Sequence, residues 1–200
     1  MNEPPIAGFY PSAKTLQILI TQSIRHVENS IRNRASLAER HNAFTDYCLL
    51  LLFFSTGHRP ILDSFQSIDK FDLEEKWLLI CDKVIAEERA WRLVALPTLA
   101  AQQITTYLNY LPKLAAWIAQ EDSGSSISYE IQRLAFGDNK DMPLFFYLKP
   151  DLRSWQQVKP TELKNRCNDF WPLPLNFSRR IVANELLERC QRTDWVQIQL

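Results

Sequence analysis

Four cationic side chains in this sequence occupy positions suited to a phosphate group. Arg59 ends the segment Thr56-Gly-His-Arg59, directly after a strongly apolar stretch, and Lys83 lies between two short β-rich runs. Arg179 and Arg180 stand together at the predicted start of a helix. Cations there oppose the helix dipole unless an anion is bound, which favours a phosphate-facing role for this pair. Taken alone, Arg59 and Lys83 are more typical of surface charges, so only the arginine pair indicates phosphate binding by its position.

Three separated segments, in order, resemble the catalytic domain of the tyrosine recombinases, the phage integrase family. Thr56-Gly-His-Arg59 is similar to the family's T-G-x-R. Asp82-Lys83, followed by Arg92-Leu-Val-Ala-Leu-Pro97, resembles its strand–lysine–strand element ending in R-x-V-P-L. Asn176-Phe-Ser-Arg179-Arg180 is similar to its H-x-x-R-H at the start of a helix. The resemblance predicts an N-terminal extension at 1–11 and a DNA breaking-rejoining domain at 12–200 that is incomplete at its C-terminal end.

The resemblance implies a role for each matched residue. Arg59 and Arg179 would bind the scissile phosphate, because guanidinium groups are always charged and bind phosphate oxygens in pairs. Lys83 would enter the minor groove and protonate the leaving 5′-oxygen, and Arg180 would contact DNA. Asn176 takes the place of a catalytic histidine. The implied partners are double-stranded DNA and further copies of the protein, which in this family form a tetrameric synapse on DNA.

The resemblance also implies a tyrosine nucleophile, which attacks the phosphodiester and leaves a 3′-phosphotyrosyl bond. No tyrosine follows Arg179 in the sequence, so we expect the nucleophile beyond Leu200 and expect residues 1–200 to be inactive alone. Tyr147 and Tyr129 are the best candidates if a tyrosine within the chain acts instead. Asn176 cannot shuttle a proton as the usual histidine does. The chemistry needs no cofactor, and we expect none.

Hydrophobic periodicity predicts the elements that would position these residues. Apolar residues recur at helical spacing in two early segments, and Gly57 supplies the C-terminal stop of the second. Short β-rich runs then predict two or three antiparallel strands, with Asp82-Lys83 ending the first strand of a hairpin. A long helix follows, with a break expected near Pro112. The fold class is therefore mainly α with a small antiparallel β-sheet (α+β), with helices at about 12–32, 36–55, 97–120 and 176–192 and strands within 67–96.

Composition excludes several classes of protein. Only four glycines occur, and no phosphate-binding glycine motif is present, which argues against a nucleotide-binding fold. The four cysteines and three histidines have no ligand-like spacing, so we expect no metal site. The longest apolar run is far shorter than the roughly 20 residues of a membrane span, so we expect no membrane partner. We expect a cytoplasmic protein, associated with the nucleoid when it is bound to DNA.

The neutral net charge keeps other functions open. There are 23 basic and 23 acidic residues, which is not the strongly basic balance typical of nucleic-acid-binding proteins. The leading hypothesis is site-specific DNA recombination or integration by a tyrosine recombinase. The alternative is a non-catalytic DNA-binding or assembly protein on the same fold. A third hypothesis, an unrelated α-helical interaction protein, rests on the neutral charge alone.

Overall fold

The computed structural model describes residues 13–60, 65–85, 88–138, 141–175 and 177–182. It is mainly helical with two small antiparallel sheets, which confirms the predicted α+β class. In chain order the elements are α1 (Ala13–Arg32), α2 (Leu37–Thr56), β1 (Phe71–Asp72), β2 (Trp77–Ile85), β3 (Glu88–Ala95), α3 (Thr98–Glu121), α4 (Ser126–Ala135), β4 (Phe146–Leu148), β5 (Trp155–Gln157), α5 (Pro160–Cys167) and a final helical stretch, α6, at 177–182. No helix among these residues is long and apolar enough to cross a membrane.

Helix α2 is the central element of the core. Sixteen of its twenty residues are buried, and it packs against α1, α3 and β4. A capping box begins the helix, in which Ser36 and Glu39 bond each other's main-chain N–H groups. Gly57 ends it in the left-handed conformation, with φ 60° and its N–H donating to the Phe53 carbonyl. The helix end that precedes Arg59 is therefore rigidly held.

The predicted sheet lies within 67–96 and has the order β1-β2-β3. Leu78 and Ile80 of β2 and Val94 of β3 are buried against the core. The β2–β3 ladder passes directly from the Cys81–Trp91 pair to the Lys83–Ala90 pair, so Asp82 is the extra residue of a β-bulge. Lys83 lies within the hairpin, but the expectation that it ends the first strand is wrong, because β2 continues to Ile85.

Helix α3 runs unbroken through Pro112, so the predicted break there is wrong. Proline cannot donate to the carbonyl four residues earlier, which costs about 3 kcal/mol in a helix interior. Leu111 and Leu114, on either side of it, are both fully buried. Burying each of these side chains is worth about 1.5–3 kcal/mol, so continued packing outweighs the lost hydrogen bond.

A row of polar side chains on α2 holds β4 in the core. The Asn42 amide donates to the Leu148 carbonyl at 3.0 Å and accepts from the Leu148 N–H at 2.8 Å. The His41 ring nitrogen Nε2 lies 3.1 Å from the Phe146 carbonyl oxygen, and Thr45 donates to the same oxygen. Since β4 also pairs with β5, it is bonded along both edges. The sequence pattern did not indicate these contacts.

Candidate functional site

The turn that carries Arg59 is built from the buried end of α2. Thr56 Oγ1 donates to the Leu52 carbonyl at 2.8 Å and accepts from the His58 N–H at 3.2 Å. The His58 ring is buried, parallel to the Phe53 ring and edge-on to the Phe65 ring at 5.0 Å between centroids. Arg59 follows this buried anchor and is exposed. The T-G-H-R segment thus delivers one arginine to solvent from a fixed backbone.

The second predicted arginine lies on α6. Ser178 and Ile181 of this helix are buried, and the Ser178 hydroxyl donates to the Leu175 carbonyl at 2.8 Å. Arg179 is partly buried and Arg180 is exposed. Asn176, which was expected in place of the family histidine, lies outside the described residues.

One aromatic contact connects the segments that lead to the two arginines. Phe54, near the end of α2, packs edge-on against Trp171 with 5.4 Å between ring centroids. Phe54 precedes Arg59 by five residues, and Trp171 precedes Arg179 by eight. The segments leading to the two arginines therefore meet in the core. Convergence of Arg59, Lys83 and Arg179 on one phosphate stays a prediction.

The two tyrosines singled out as possible nucleophiles have opposite environments. Tyr147 is buried, and its hydroxyl donates to Asp46 Oδ1 at 2.5 Å. Burial and the neighbouring Asp46 raise the Tyr147 pKa far above its ordinary value, so its phenol is unsuited to attack a phosphate. Tyr129 lies on α4, is 64% exposed and has the Arg133 guanidinium over its ring at 5.9 Å. Of the two, Tyr129 alone is accessible.

An ion pair between a buried carboxylate and a partly exposed arginine, not predicted from the sequence, lies beside Tyr147. Asp46 on α2 is fully buried, and Arg166 on α5 donates to its carboxylate from Nη2 at 2.9 Å and from Nε at 3.0 Å. The Arg166 guanidinium also lies 4.7 Å from the centre of the Tyr147 ring. Burial raises the Asp46 pKa above its ordinary value, and Arg166 opposes that rise. The pair fastens α5 to the central helix.

The sequence contains a pattern from which a partner for Asp46 could have been predicted. Asp46 lies in a helix that is apolar nearly all round, and a buried carboxylate requires a cationic or hydrogen-bonding partner. His41, Asn42, Thr45 and Asp46 also recur at helical spacing on one side of α2. The identity of the partners was not readable, since Arg166 is 120 residues away in the chain.

The described residues contain no group of three or more histidine, cysteine, aspartate or glutamate side chains arranged to hold a metal ion. Cys48 and Cys167 are buried free thiols, and burial raises the pKa of each above its ordinary value. Such thiols remain protonated and poorly nucleophilic.

Comparison of the chain with protein-family models and with curated protein sequences found no match in either set. The candidate site is therefore defined by the chain's own residues, Arg59, Lys83, Arg179 and Arg180.

Proposed function

We propose that this protein binds double-stranded DNA through Arg59, Arg179 and Arg180, with Lys83 reaching the duplex from the β2–β3 hairpin. The observation that carries the proposal is the Phe54–Trp171 contact, because it joins the segments leading to Arg59 and Arg179. Both arginines follow buried anchors, His58 and Ser178 respectively. Cations held on rigid elements lose little freedom when they bind a phosphate.

The reaction that best fits these residues is strand transfer of the tyrosine recombinase type. Charge gathers on the non-bridging oxygens of the pentacoordinate phosphate, and two guanidinium groups stabilise it. Removing one such preorganised donor raises the barrier by about 3–4 kcal/mol. Lys83 donates the proton to the leaving 5′-oxygen. Tyr147 is buried and bonded to Asp46, so it is unsuited to be the nucleophile, which the resemblance to the family places C-terminal to Arg179.

The alternative is a DNA-binding or assembly protein without catalysis. The residues at the family's two histidine positions favour it, because Asn176 and Arg180 cannot exchange protons near neutral pH. Both forms of the proposal share the same DNA-binding residues. They differ in whether a covalent protein–DNA bond forms.

Salt dependence of DNA affinity tests the shared part of the proposal. We expect the chain to bind a fluorescent duplex weakly, with affinity falling steeply as salt rises, because bound phosphates release counterions. Arg59→Ala and Arg179→Ala should each weaken duplex binding and lower the salt slope by at most about one, because the two arginines share a phosphate. Arg25→Ala is the matched control, since Arg25 is exposed on α1. A duplex affinity that does not change with salt would rule out the proposed contacts. An equal loss of affinity in Arg59→Ala, Arg179→Ala and the Arg25→Ala control would also rule them out.

A nicked suicide substrate separates the two forms. We expect no covalent adduct from residues 1–200 and an adduct from a longer chain that supplies the tyrosine. Lack of an adduct from a longer chain that still binds DNA would favour the non-catalytic form. An adduct from residues 1–200 that disappears in Tyr129→Phe would place the nucleophile on α4.

A further inference from the structure

An apolar groove of about 360 Å³ lies between α1, α2 and α3, and its described lining includes none of the proposed DNA-binding residues. Its walls are formed by Val27 and Ile31 of α1, Phe44 of α2, and Tyr110 and Trp117 of α3. Ile31 is 59% exposed and Trp117 is 42% exposed, so the groove opens to solvent. Covering large apolar side chains of this kind is favourable by about 25 cal/mol per Å².

Arg40 gives the groove a preference for an occupant that carries a negative charge. It is the one charged side chain among the described residues that line the groove. Its Nε atom is buried and has no hydrogen-bond partner in the described part of the chain. A carboxylate from an occupant would form a charge-assisted hydrogen bond with the Arg40 guanidinium at the groove wall. The groove therefore suits an apolar side chain that has a carboxylate close to it.

The chain displays that combination on another surface, at the end of α4. Phe136 is 69% exposed, and the exposed Asp138 follows two residues later. Gly137, with φ 77°, forms the turn between them. The Arg133 guanidinium donates to the Asp138 main-chain carbonyl at 2.7 Å, which fixes the turn and leaves the carboxylate exposed. We call Phe136, Gly137 and Asp138 the Phe136 turn.

The groove and the Phe136 turn lie on different sides of α3. Trp117 faces the groove, whereas α4 packs on the side of Ala115, whose carbonyl accepts from the Ser128 hydroxyl at 2.8 Å. Two residues along a helix correspond to about 200° around its axis. The Phe136 turn is thus positioned to meet the groove of another molecule and not the groove of its own chain.

We propose that the Phe136 turn of one copy docks into the groove of a second copy, with the Asp138 carboxylate accepting hydrogen bonds from Arg40. The contact is heterologous, so a pair of bound copies still has one free groove at one end and one free turn at the other. Its small area makes it a weak contact, because stable interfaces bury about 1,200–2,000 Å². The proposal does not depend on DNA binding.

Two single substitutions test the contact without disturbing the core. Ile31→Glu damages the groove, Phe136→Glu damages the turn, and both positions are exposed. Ile18→Glu is the matched control, since Ile18 is 48% exposed on the same helix and about 220° around it from Ile31. In sedimentation velocity up to about 500 µM, the unchanged chain and the control should associate, while either groove or turn variant stays monomeric.

Mixing the two variants gives the decisive result. Ile31→Glu retains its turn and Phe136→Glu retains its groove, so an equimolar mixture should form a 1:1 complex and nothing larger. Arg40→Glu should weaken association at least about tenfold, and adding Asp138→Arg should restore it in the doubly changed chain. A monomeric wild-type chain at the highest concentration, a mixture that stays monomeric, or equal weakening by Ile18→Glu would overturn the proposal.

Discussion

Asn42 pairs with Leu148 as one strand residue pairs with another, although it belongs to a helix. Its side-chain amide supplies one donor and one acceptor, at 3.0 Å and 2.8 Å from the main-chain groups of Leu148. The Asn42 side chain gives hydrogen-bond partners to the Leu148 main-chain groups on the edge of β4 that faces α2. Buried main-chain groups without a partner are rare in folded proteins. The position of β4 therefore depends on side chains of α2.

Asn42→Ala is expected to destabilise the protein by about 3 kcal/mol, because it leaves two buried main-chain groups of Leu148 without partners. Urea unfolding should show a lower midpoint with an unchanged m-value. Asn109→Ala is the control, since Asn109 is exposed on α3 and its replacement should leave stability nearly unchanged. A small effect at Asn42, equal to that at Asn109, would show that β4 is held by other contacts.

Removing either partner of the Asp46–Arg166 pair alone should lower the free energy of unfolding. Asp46→Asn leaves a guanidinium, 33% exposed, beside Tyr147 without its carboxylate, and we expect a loss of about 3 kcal/mol. Arg166→Met leaves a buried carboxylate and should cost at least as much. The double variant should be more stable than the sum of the two losses predicts. Additive losses in urea unfolding would contradict direct coupling of the two side chains.

Stability should rise with pH between about 3 and about 6.5 because of His41. Complete burial lowers its pKa to about 3 in the folded protein, against about 6.5 in the unfolded chain. Between these values the unfolded chain binds the additional proton, so acid favours unfolding by up to about 1.4 kcal/mol per pH unit. His41→Gln keeps a nitrogen donor for Phe146 and removes this titration. Parallel stability–pH curves for the two proteins would show that His41 is not responsible.

The sequence predicted local structure well wherever one physical signal dominated. Helix α2 begins and ends within one residue of its predicted limits, because Ser36 and Gly57 are strong cap residues. The strands within 67–96 were predicted from short β-rich runs separated by charged residues. The predicted break at Pro112 was wrong, because burial of the neighbouring side chains outweighs the tendency of proline to interrupt a helix.

Contacts between segments far apart in the chain could not be predicted from the sequence pattern. The bonds from α2 to β4 join residues more than 100 positions apart, and the Asp46–Arg166 pair joins residues 120 apart. Charge and spacing show that such groups need partners but do not say which. For the candidate site, the sequence singles out Arg59, Arg179 and Arg180 through the resemblance of their segments to recombinase motifs, whereas their exposure is seen only in the structure. The distances between these side chains could not be predicted from the sequence.

The central claim is that Arg59 and Arg179 bind the same phosphate, and a double-mutant cycle of duplex affinity tests it most directly. Dissociation constants would be measured for the unchanged chain, Arg59→Ala, Arg179→Ala and the double variant at one low salt concentration. Two residues that share a binding partner are coupled by about 0.5–3 kcal/mol, so we predict a double variant that binds more tightly than the sum of the single losses requires. Losses that add within about 0.5 kcal/mol would show that the two arginines act on separate phosphates and would contradict the proposed site.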